Sequence, residues 1–204
     1  SKAHNIQLRT LAEGKGLKIN EYGIFRVDTG ERLAGAEECD IYQTLNMLCI
    51  PPEIRNSSGE IEAAIAGKLP NLIELSDIRG DLHSHTNWSD GVNSIEAMAE
   101  AARARGYEYL VISDHSVSMG FIHGLSTDRV REQRRIIDDL NKQYKGFTLM
   151  QGIEVNIKSD GRLDYGDDVL EKFDVVTASI HSGLSQSREQ ITSRMLSAIH
   201  NPNV

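Results

Sequence analysis

The sequence predicts an α/β protein with a small α+β part at its N-terminus and a larger part in which strands and helices alternate. From Ile78 onward, short apolar runs alternate with amphipathic segments, which is typical of βαβ units and a parallel sheet. The character of the sequence also changes near Pro51-Pro52 and again near Arg79-Gly80. The chain has 204 residues, enough for one large domain or two small ones with buried cores.

The N-terminal part is predicted to contain two helices with extended chain between them. Ser1 can cap the first helix, and Gly14 ends it. Asp28-Thr29-Gly30 is a turn signal and predicts a hairpin, whereas Pro51-Pro52 ends the second helix. The extended chain covers residues 17–27, the second helix covers 37–48, and a connector covers 56–77 with a short helix at 60–66.

The larger part is predicted to hold parallel strands connected by helices, either as a barrel or as an open layer. Leu110-Val111-Ile112 favours a buried strand, and Gly106 follows the end of the helix before it. Strands are predicted at residues 78–86, 107–113, 147–155 and 173–181, and helices at 94–105, 127–144 and 187–200.

Composition and charge narrow the class of protein. Hydrophobic residues make up 39% and charged residues 25%, as in soluble globular domains. The net charge of −8 argues against a protein that coats nucleic acid by bulk attraction, although bound metals can supply positive charge locally. We find no apolar run that could span a membrane or direct secretion, and we predict a cytoplasmic location. Cys39 and Cys49 form no CxxC pair, so we predict two reduced thiols.

Histidines and carboxylates occur at or near the C-terminal ends of the four predicted strands. His83 and His85 alternate in the first strand, so both side chains point to one face, and Asp90 follows at a glycine-marked turn. His115, Glu154 and His181 occupy similar places at the other strands. Because these ends share one edge of a parallel sheet, we predict that the side chains converge. The alternative, that each is an ordinary polar residue, requires four independent coincidences.

The residue types indicate which ions such a site would bind. Imidazole and carboxylate without thiolate suit Zn²⁺, Mn²⁺ or Fe²⁺ better than Ca²⁺ or copper(I). A bridging carboxylate holds two ions roughly 3.5–4 Å apart, and such a pair activates water and stabilises the oxygens of a displacement at phosphorus. The pattern therefore predicts hydrolysis of phosphate esters.

The motifs Gly80-Asp81-Leu82-His83-Ser84-His85-Thr86, Ser89-Asp90-Gly91, Ser113-Asp114-His115, Gly152-Ile153-Glu154 and Ser179-Ile180-His181 resemble the opening motifs of the PHP (polymerase and histidinol phosphatase) domain. The resemblance covers residues 77–204 and implies the first portion of a distorted (β/α)7 barrel. It implies up to three ions, Zn²⁺ or Mn²⁺. His83, His85 and Glu154 would bind the first, Glu154 and His181 the second, and Asp90 and His115 the third. Glu154 would act in catalysis by positioning a metal-bound water.

The N-terminal residues resemble a different family. Residues 1–9 and 15–23 are similar to the thumb of family X DNA polymerases. This resemblance implies that Asn5 and Arg9 contact the nascent base pair and the template minor groove, where amide and guanidinium groups can read base edges. The alternative for both is a solvated helix face. We therefore expect a thumb-like subdomain at 1–56, a linker at 57–76 and the truncated PHP portion at 77–204.

Together the two resemblances match the bacterial and archaeal family X polymerases. They imply metal-dependent hydrolysis of DNA, as a 3′–5′ exonuclease or in processing of 3′ ends or abasic sites during repair. We expect the chain to be an internal piece, with further ligands after Val204. The resemblances imply DNA as a partner, and we expect no membrane association. Half a barrel leaves a sheet edge unpaired, so we expect this chain to be unstable, dimeric through that edge, or inactive alone.

Two other functions remain open. A histidinol-phosphatase-type enzyme would use the same metal motifs on a small molecule. A DNA-binding fragment without catalysis would result if the incomplete ligand set holds metal too loosely. Lys158 is a candidate phosphate contact. His123 is interpreted as a loop residue and His200 as a surface residue, and neither is assigned to the metal site.

Overall fold

The computed structural model describes residues 1–118 and 122–204. The chain divides into two compact units, Ser1–Ile73 and Glu74–Val204. We call them unit 1 and unit 2. Each has its own cluster of buried apolar side chains, and each is described by itself.

Unit 1 combines helices with a three-stranded antiparallel sheet in the order β1-β2-β3. The hydroxyl of Ser1 accepts a hydrogen bond from the His4 amide and caps the first helix, as predicted. That helix buries His4, Leu8 and Ala12. The elements are α1 (Lys2–Glu13), β1 (Leu17–Asn20), β2 (Gly23–Arg26), β3 (Arg32–Ala34), α2 (Glu38–Thr44) and α3 (Glu60–Ile65), with a 3₁₀ turn at Pro52–Ile54.

The expected single extended segment at residues 17–27 is two strands. β1 and β2 pair as a hairpin in which Asn20 lies opposite Gly23, and the Tyr22 amide donates to the side chain of Asn20. The predicted turn at Asp28-Thr29-Gly30 then joins β2 to β3. Glycine suits the first turn because Gly23 has a φ of 135°. The sequence signal at this turn was too weak to separate the two strands.

Two further expectations for unit 1 are corrected. Cys39 and Cys49 form a disulfide across 10 residues of sequence, with Cα atoms 5.0 Å apart, so the prediction of two reduced thiols is wrong for this structure. The chain folds back after α2 and brings the two cysteines together, a relationship that their spacing does not encode. The segment expected to be a linker does contain the short helix expected at 60–66, but Ile61 and Ala64 of this helix are buried in the unit 1 core.

Unit 2 contains a parallel sheet of four strands in the order β4-β5-β6-β7, counted over its described residues. Helices follow the strands along the chain, as the alternating pattern predicted. Ser94, Ser126 and Ser187 each cap a helix through the side-chain oxygen. The elements are β4 (Gly80–Ser84), α4 (Ile95–Ala104), β5 (Tyr109–Ile112), α5 (Thr127–Asn141), β6 (Thr148–Asn156), α6 (Asp167–Leu170), β7 (Val175–Ser179) and α7 (Arg188–Ile199).

The sheet of unit 2 is covered by buried side chains from its helices. Ile95 and Ala99 of α4 and Ile137 of α5 pack with Ile112 of β5 and Leu149 of β6. Burial of this kind stabilises the sheet by roughly 1.5–3 kcal/mol for each large side chain. The strands are thereby fixed as a rigid support for the residues at their C-terminal ends. Among the described helices, we find none long and apolar enough to cross a bilayer.

Candidate metal centre

The C-terminal edge of the parallel sheet brings together the six side chains that the sequence singled out in unit 2. His83 lies in β4, and His85 is the first residue after that strand. Glu154 lies near the end of β6. His115 follows β5 and pairs with Glu154 through an isolated β-bridge, whereas His181 follows β7. Parallel pairing therefore places residues distant in sequence at one edge.

Glu154 lies at the centre of this cluster. Its Oε2 atom is 3.1 Å from Nε2 of His83, 3.3 Å from Nε2 of His85 and 3.6 Å from Nδ1 of His115. Its Oε1 atom is 3.0 Å from Nε2 of His181. One carboxylate thus faces four imidazoles, which is the geometry required of a bridging ligand.

Asp90 approaches the cluster from the loop after β4. Oδ1 of Asp90 is 3.3 Å from Nδ1 of His85, and its Oδ2 is 3.5 Å from Nε2 of His115. The turn closes tightly, because the Gly91 amide donates to the carbonyl of Thr86 at 2.8 Å. A Cβ atom at Gly91 would lie 2.5 Å from the carbonyl oxygen of His85, so a larger residue would displace the backbone that carries the histidine.

The ligand atoms form three overlapping groups, each within 4.8 Å. The groups are His83, His85 and Glu154; His85, Asp90 and His115; and His115, Glu154 and His181. Nδ1 of His85 and Nδ1 of His115 are buried and form no hydrogen bond with the described residues, although each faces a carboxylate oxygen. Buried histidine nitrogens that face carboxylate oxygens without hydrogen bonding to them are expected when both atoms coordinate a shared cation.

Burial and neighbouring charges bias the protonation of this cluster. Burial is the main cause that lowers the pKa of His115, and it outweighs the opposing effect of the Glu154 and Asp90 carboxylates. Burial alone would raise the pKa of Glu154, but His115, His83 and His181 together bring the pKa of Glu154 below its ordinary value. A neutral imidazole and an ionised carboxylate are the forms that bind metal.

A buried carboxylate that was not assigned a role from the sequence supports the Asp90 turn. Asp114 is fully buried and accepts hydrogen bonds from the amide and hydroxyl of Thr86, at 2.8 and 2.7 Å. It also accepts from the hydroxyl of Ser89 at 2.6 Å and from the side chain of Gln133 at 2.7 Å. Asp114 therefore joins the end of β5 to the segment between His85 and Asp90. Its position directly before His115 was the feature of the sequence that could have indicated this supporting role.

A second polar network lies behind Glu154 and His181. The side-chain oxygen of Asn156 accepts from the His181 amide at 3.2 Å, and its amide group donates to Ser118 at 2.9 Å. Ser118 donates to the buried carboxylate of Asp164. Nζ of Lys158, the candidate phosphate contact, is 3.7 Å from the other oxygen of Asp164. The network fixes the ends of β6 and β7 relative to each other.

Four further candidates are exposed residues, two in unit 2 and two in unit 1. His123 and His200 are exposed and belong to none of the three groups. Asn5 and Arg9 lie in unit 1, where both are exposed on α1. They line a cavity of about 210 Å³ together with Ile19 of β1 and with Glu38 and Tyr42 of α2.

Fold and site together define an α/β protein with a candidate multi-metal centre of histidines and carboxylates at the C-terminal edge of a parallel sheet. The chain belongs to the PHP domain family, which matches residues 81–201. Residues 1–56 match the DNA polymerase beta thumb family. The resemblances inferred from the motifs are confirmed for both parts of the chain.

Relatives of two kinds are similar to this chain. The DNA polymerase/3′-5′ exonuclease PolX of Bacillus subtilis (strain 168) is 43% identical over 204 residues, which is 100% of this chain and 35% of that protein. A probable phosphatase of Caldanaerobacter subterraneus subsp. tengcongensis is 30% identical over 131 residues, 61% of this chain and 48% of that protein. A probable phosphatase of Thermoanaerobacter sp. (strain X514) is 29% identical over 130 residues, again 61% of this chain and 50% of that protein.

The chain thus spans about a third of the PolX relative and about half of the phosphatases.

Proposed function

We propose that unit 2 is part of a metal-dependent phosphodiesterase centre that hydrolyses DNA from its 3′ end, within a family X DNA polymerase active in repair. The observation that carries this proposal is the position of Glu154, whose two oxygens face His83, His85, His115 and His181. The strands β4 to β7 would form part of a distorted (β/α)7 barrel.

The six side chains would hold up to three ions, Zn²⁺ or Mn²⁺. Ions at these ligands would lower the pKa of water and stabilise charge on phosphate oxygens. Glu154 would hold two of them at a fixed separation, since its oxygens face different histidines. The buried His115 would stay neutral and available as a ligand, because burial lowers its pKa. These residues would thereby orient a phosphodiester in line with its attacking oxygen.

Unit 1 favours DNA over a small molecule as the substrate. Its match to the polymerase thumb family covers residues 1–56, whereas the phosphatase relatives align with only 61% of the chain. Arg9 and Asn5 line one cavity and offer a cation and an amide to a nucleotide or to the minor groove. A phosphatase acting on a small molecule has no need of such a unit.

Comparison of two substrates tests the proposal. The protein, supplied with Mn²⁺ or Zn²⁺, is expected to shorten a 3′-labelled oligonucleotide and to release little phosphate from histidinol phosphate. His83→Ala should abolish the activity, whereas His200→Ala, which changes an exposed histidine outside the cluster, should leave it intact. Preference for histidinol phosphate would establish the small-molecule alternative. DNA binding without hydrolysis of either substrate would establish the non-catalytic one.

A further inference from the structure

Arg194 is an unusual residue in unit 2, because its positively charged side chain is almost fully buried. The side chain lies on α7 and only 2% of the residue is exposed. In the part of the chain that the structure describes, no ion pair includes Arg194. Burying a charged group is costly unless hydrogen bonds compensate for the lost water. The acceptors of this guanidinium therefore show which parts of the chain Arg194 holds in place.

Those hydrogen bonds join the chain segments that follow β6 and β7. The guanidinium donates to the carbonyl of Ile157, directly after β6, and to the carbonyl of Ser182 at 3.0 Å. It also donates to the side-chain oxygen of Gln186 at 2.7 Å. Gln186 in turn donates to the carbonyl of Ser159 at 3.1 Å, which links the same two segments a second time. We call Arg194 and Gln186 the loop clamp.

Both segments held by the loop clamp adjoin candidate metal ligands. Ser182 is the residue after His181, and Ile157 lies three residues after Glu154. The backbone comes close to the clamp at Gly183, where a Cβ atom would lie 3.1 Å from a guanidinium nitrogen and where φ is +64°. A side chain at position 183 would therefore strain the backbone and push against the guanidinium of Arg194.

We propose that Arg194 is a positioning residue that acts through His181. By tying the loop after β7 to the extension of β6, it keeps Nε2 of His181 within 3.0 Å of Oε1 of Glu154. This inference rests on the proposed metal centre and adds a residue outside its ligand set. Arginine is required because its planar group reaches several acceptors at once, whereas a lysine ammonium at the same place cannot span both segments.

The test measures ion affinity as well as activity. Arg194→Lys keeps the positive charge but removes the planar guanidinium. Gln186→Ala removes the hydrogen bond to Ser159 that forms the second link. Arg188→Met, which changes an exposed arginine on the same helix, is the control. Titration calorimetry with Mn²⁺ should show about 10- to 100-fold weaker binding for Arg194→Lys, a smaller loss for Gln186→Ala and none for Arg188→Met. Circular dichroism establishes that each variant is folded.

A double-mutant cycle separates positioning from general support of the fold. If Arg194 acts through His181, Arg194→Lys should weaken Mn²⁺ binding in the parent chain and have no further effect in a His181→Ala chain. An equal loss of affinity in both backgrounds would overturn the inference, as would parent affinity in a folded Arg194→Lys chain. Failure of the proposed function is distinguishable, because the parent protein would then bind no Mn²⁺ or hydrolyse no oligonucleotide.

Discussion

Oε1 of Glu154 lies 3.0 Å from Nε2 of His181, although 27 residues separate the two in sequence. Parallel pairing produces this contact, because Glu154 in β6 lies opposite Thr177 in β7, and the chain continues from there to His181. The other oxygen of Glu154 faces His83 and His85. A single carboxylate therefore faces histidines at the ends of two other strands, and its replacement should disrupt more than one of the proposed ion sites.

The first prediction concerns that shared carboxylate. Glu154→Gln keeps the shape of the side chain but removes the negative charge that two ions would share. We expect loss of bound metal by elemental analysis and a fall in oligonucleotide hydrolysis of about 100-fold or more, since even residues supporting a ligand contribute 10- to 100-fold. Glu171→Gln, at an exposed position after α6, is the control and should match the parent. A Glu154→Gln chain that retains its full complement of ions would contradict the bridging role.

The second prediction concerns Asp114, which accepts four hydrogen bonds while fully buried. Asp114→Asn places an amide where Thr86, Ser89 and Gln133 all donate, so at least one donor loses its acceptor. We expect a loss of about 3 kcal/mol in the free energy of unfolding, since hydrogen bonds to buried charged groups contribute about 1.5–3 kcal/mol each. Denaturant unfolding monitored by fluorescence of Trp88 measures it, and Asp138→Asn on the exposed side of α5 should change little.

Much of the fold and the site could be predicted from sequence, because both depend on local signals. Apolar runs alternating with amphipathic segments indicated the order of elements in unit 2 before the structure was known, and the structure adds serine caps at three of its helices. The convergence of His83, His115, Glu154 and His181 followed from the rule that parallel strands share a C-terminal edge. These side chains could be recognised in the sequence because each lies at or near the end of a predicted strand.

Other features could not be predicted because they depend on tertiary contacts. The disulfide between Cys39 and Cys49 requires the chain to reverse after α2, and no local motif reports this reversal. The burial of Arg194 was equally hidden, because an arginine in a helix is usually solvated. Asp114 lay within a noticed motif, but its four donors come from segments that only the folded chain brings together.

The third prediction concerns pH and the buried pair His4 and Glu60, whose atoms Nδ1 and Oε1 are 2.7 Å apart. Burial alone would raise the pKa of Glu60, but hydrogen bonds from His4 and the amides of Ser57 and Ser58 outweigh it and lower the pKa from 4.5 to about 2. Ionised Glu60 thus stabilises the folded state above pH 4.5, and this contribution is lost as the pH falls towards 2. Hydrogen exchange of α1 and α3 amides should report the loss.

Two variants test this assignment. Glu60→Gln should lower the stability of unit 1 by about 3 kcal/mol at neutral pH, because it breaks a buried pair, and should flatten the acid dependence. Glu62→Gln, at an exposed position on the same helix, should preserve that dependence. An unchanged slope in Glu60→Gln would assign the acid sensitivity to other carboxylates.

The fourth prediction concerns the disulfide between Cys39 and Cys49. The bond closes a loop of about ten residues and restricts the unfolded chain, so its reduction should destabilise unit 1 by about 3 kcal/mol on the loop-entropy account. Hydrogen exchange with and without a reductant measures the effect. The double variant Cys39→Ser/Cys49→Ser should already show the lower stability and should not respond to the reductant. Equal stability of the oxidised and reduced chains would show that other contacts of α2 dominate.

The fifth prediction concerns the effect of cations on the two units. A ligand that binds only the folded state stabilises it by about 2.7 kcal/mol at 100 times its dissociation constant. Since the six candidate ligands all belong to unit 2, Mn²⁺ or Zn²⁺ should slow hydrogen exchange in β4 to β7 and leave exchange in β1 to β3 unchanged. His115→Ala, which removes a member of two of the three groups, should reduce this protection more than His83→Ala, which belongs to one. Equal protection of both units would indicate non-specific binding to the acidic surface, because only a centre confined to unit 2 can stabilise one set of strands selectively.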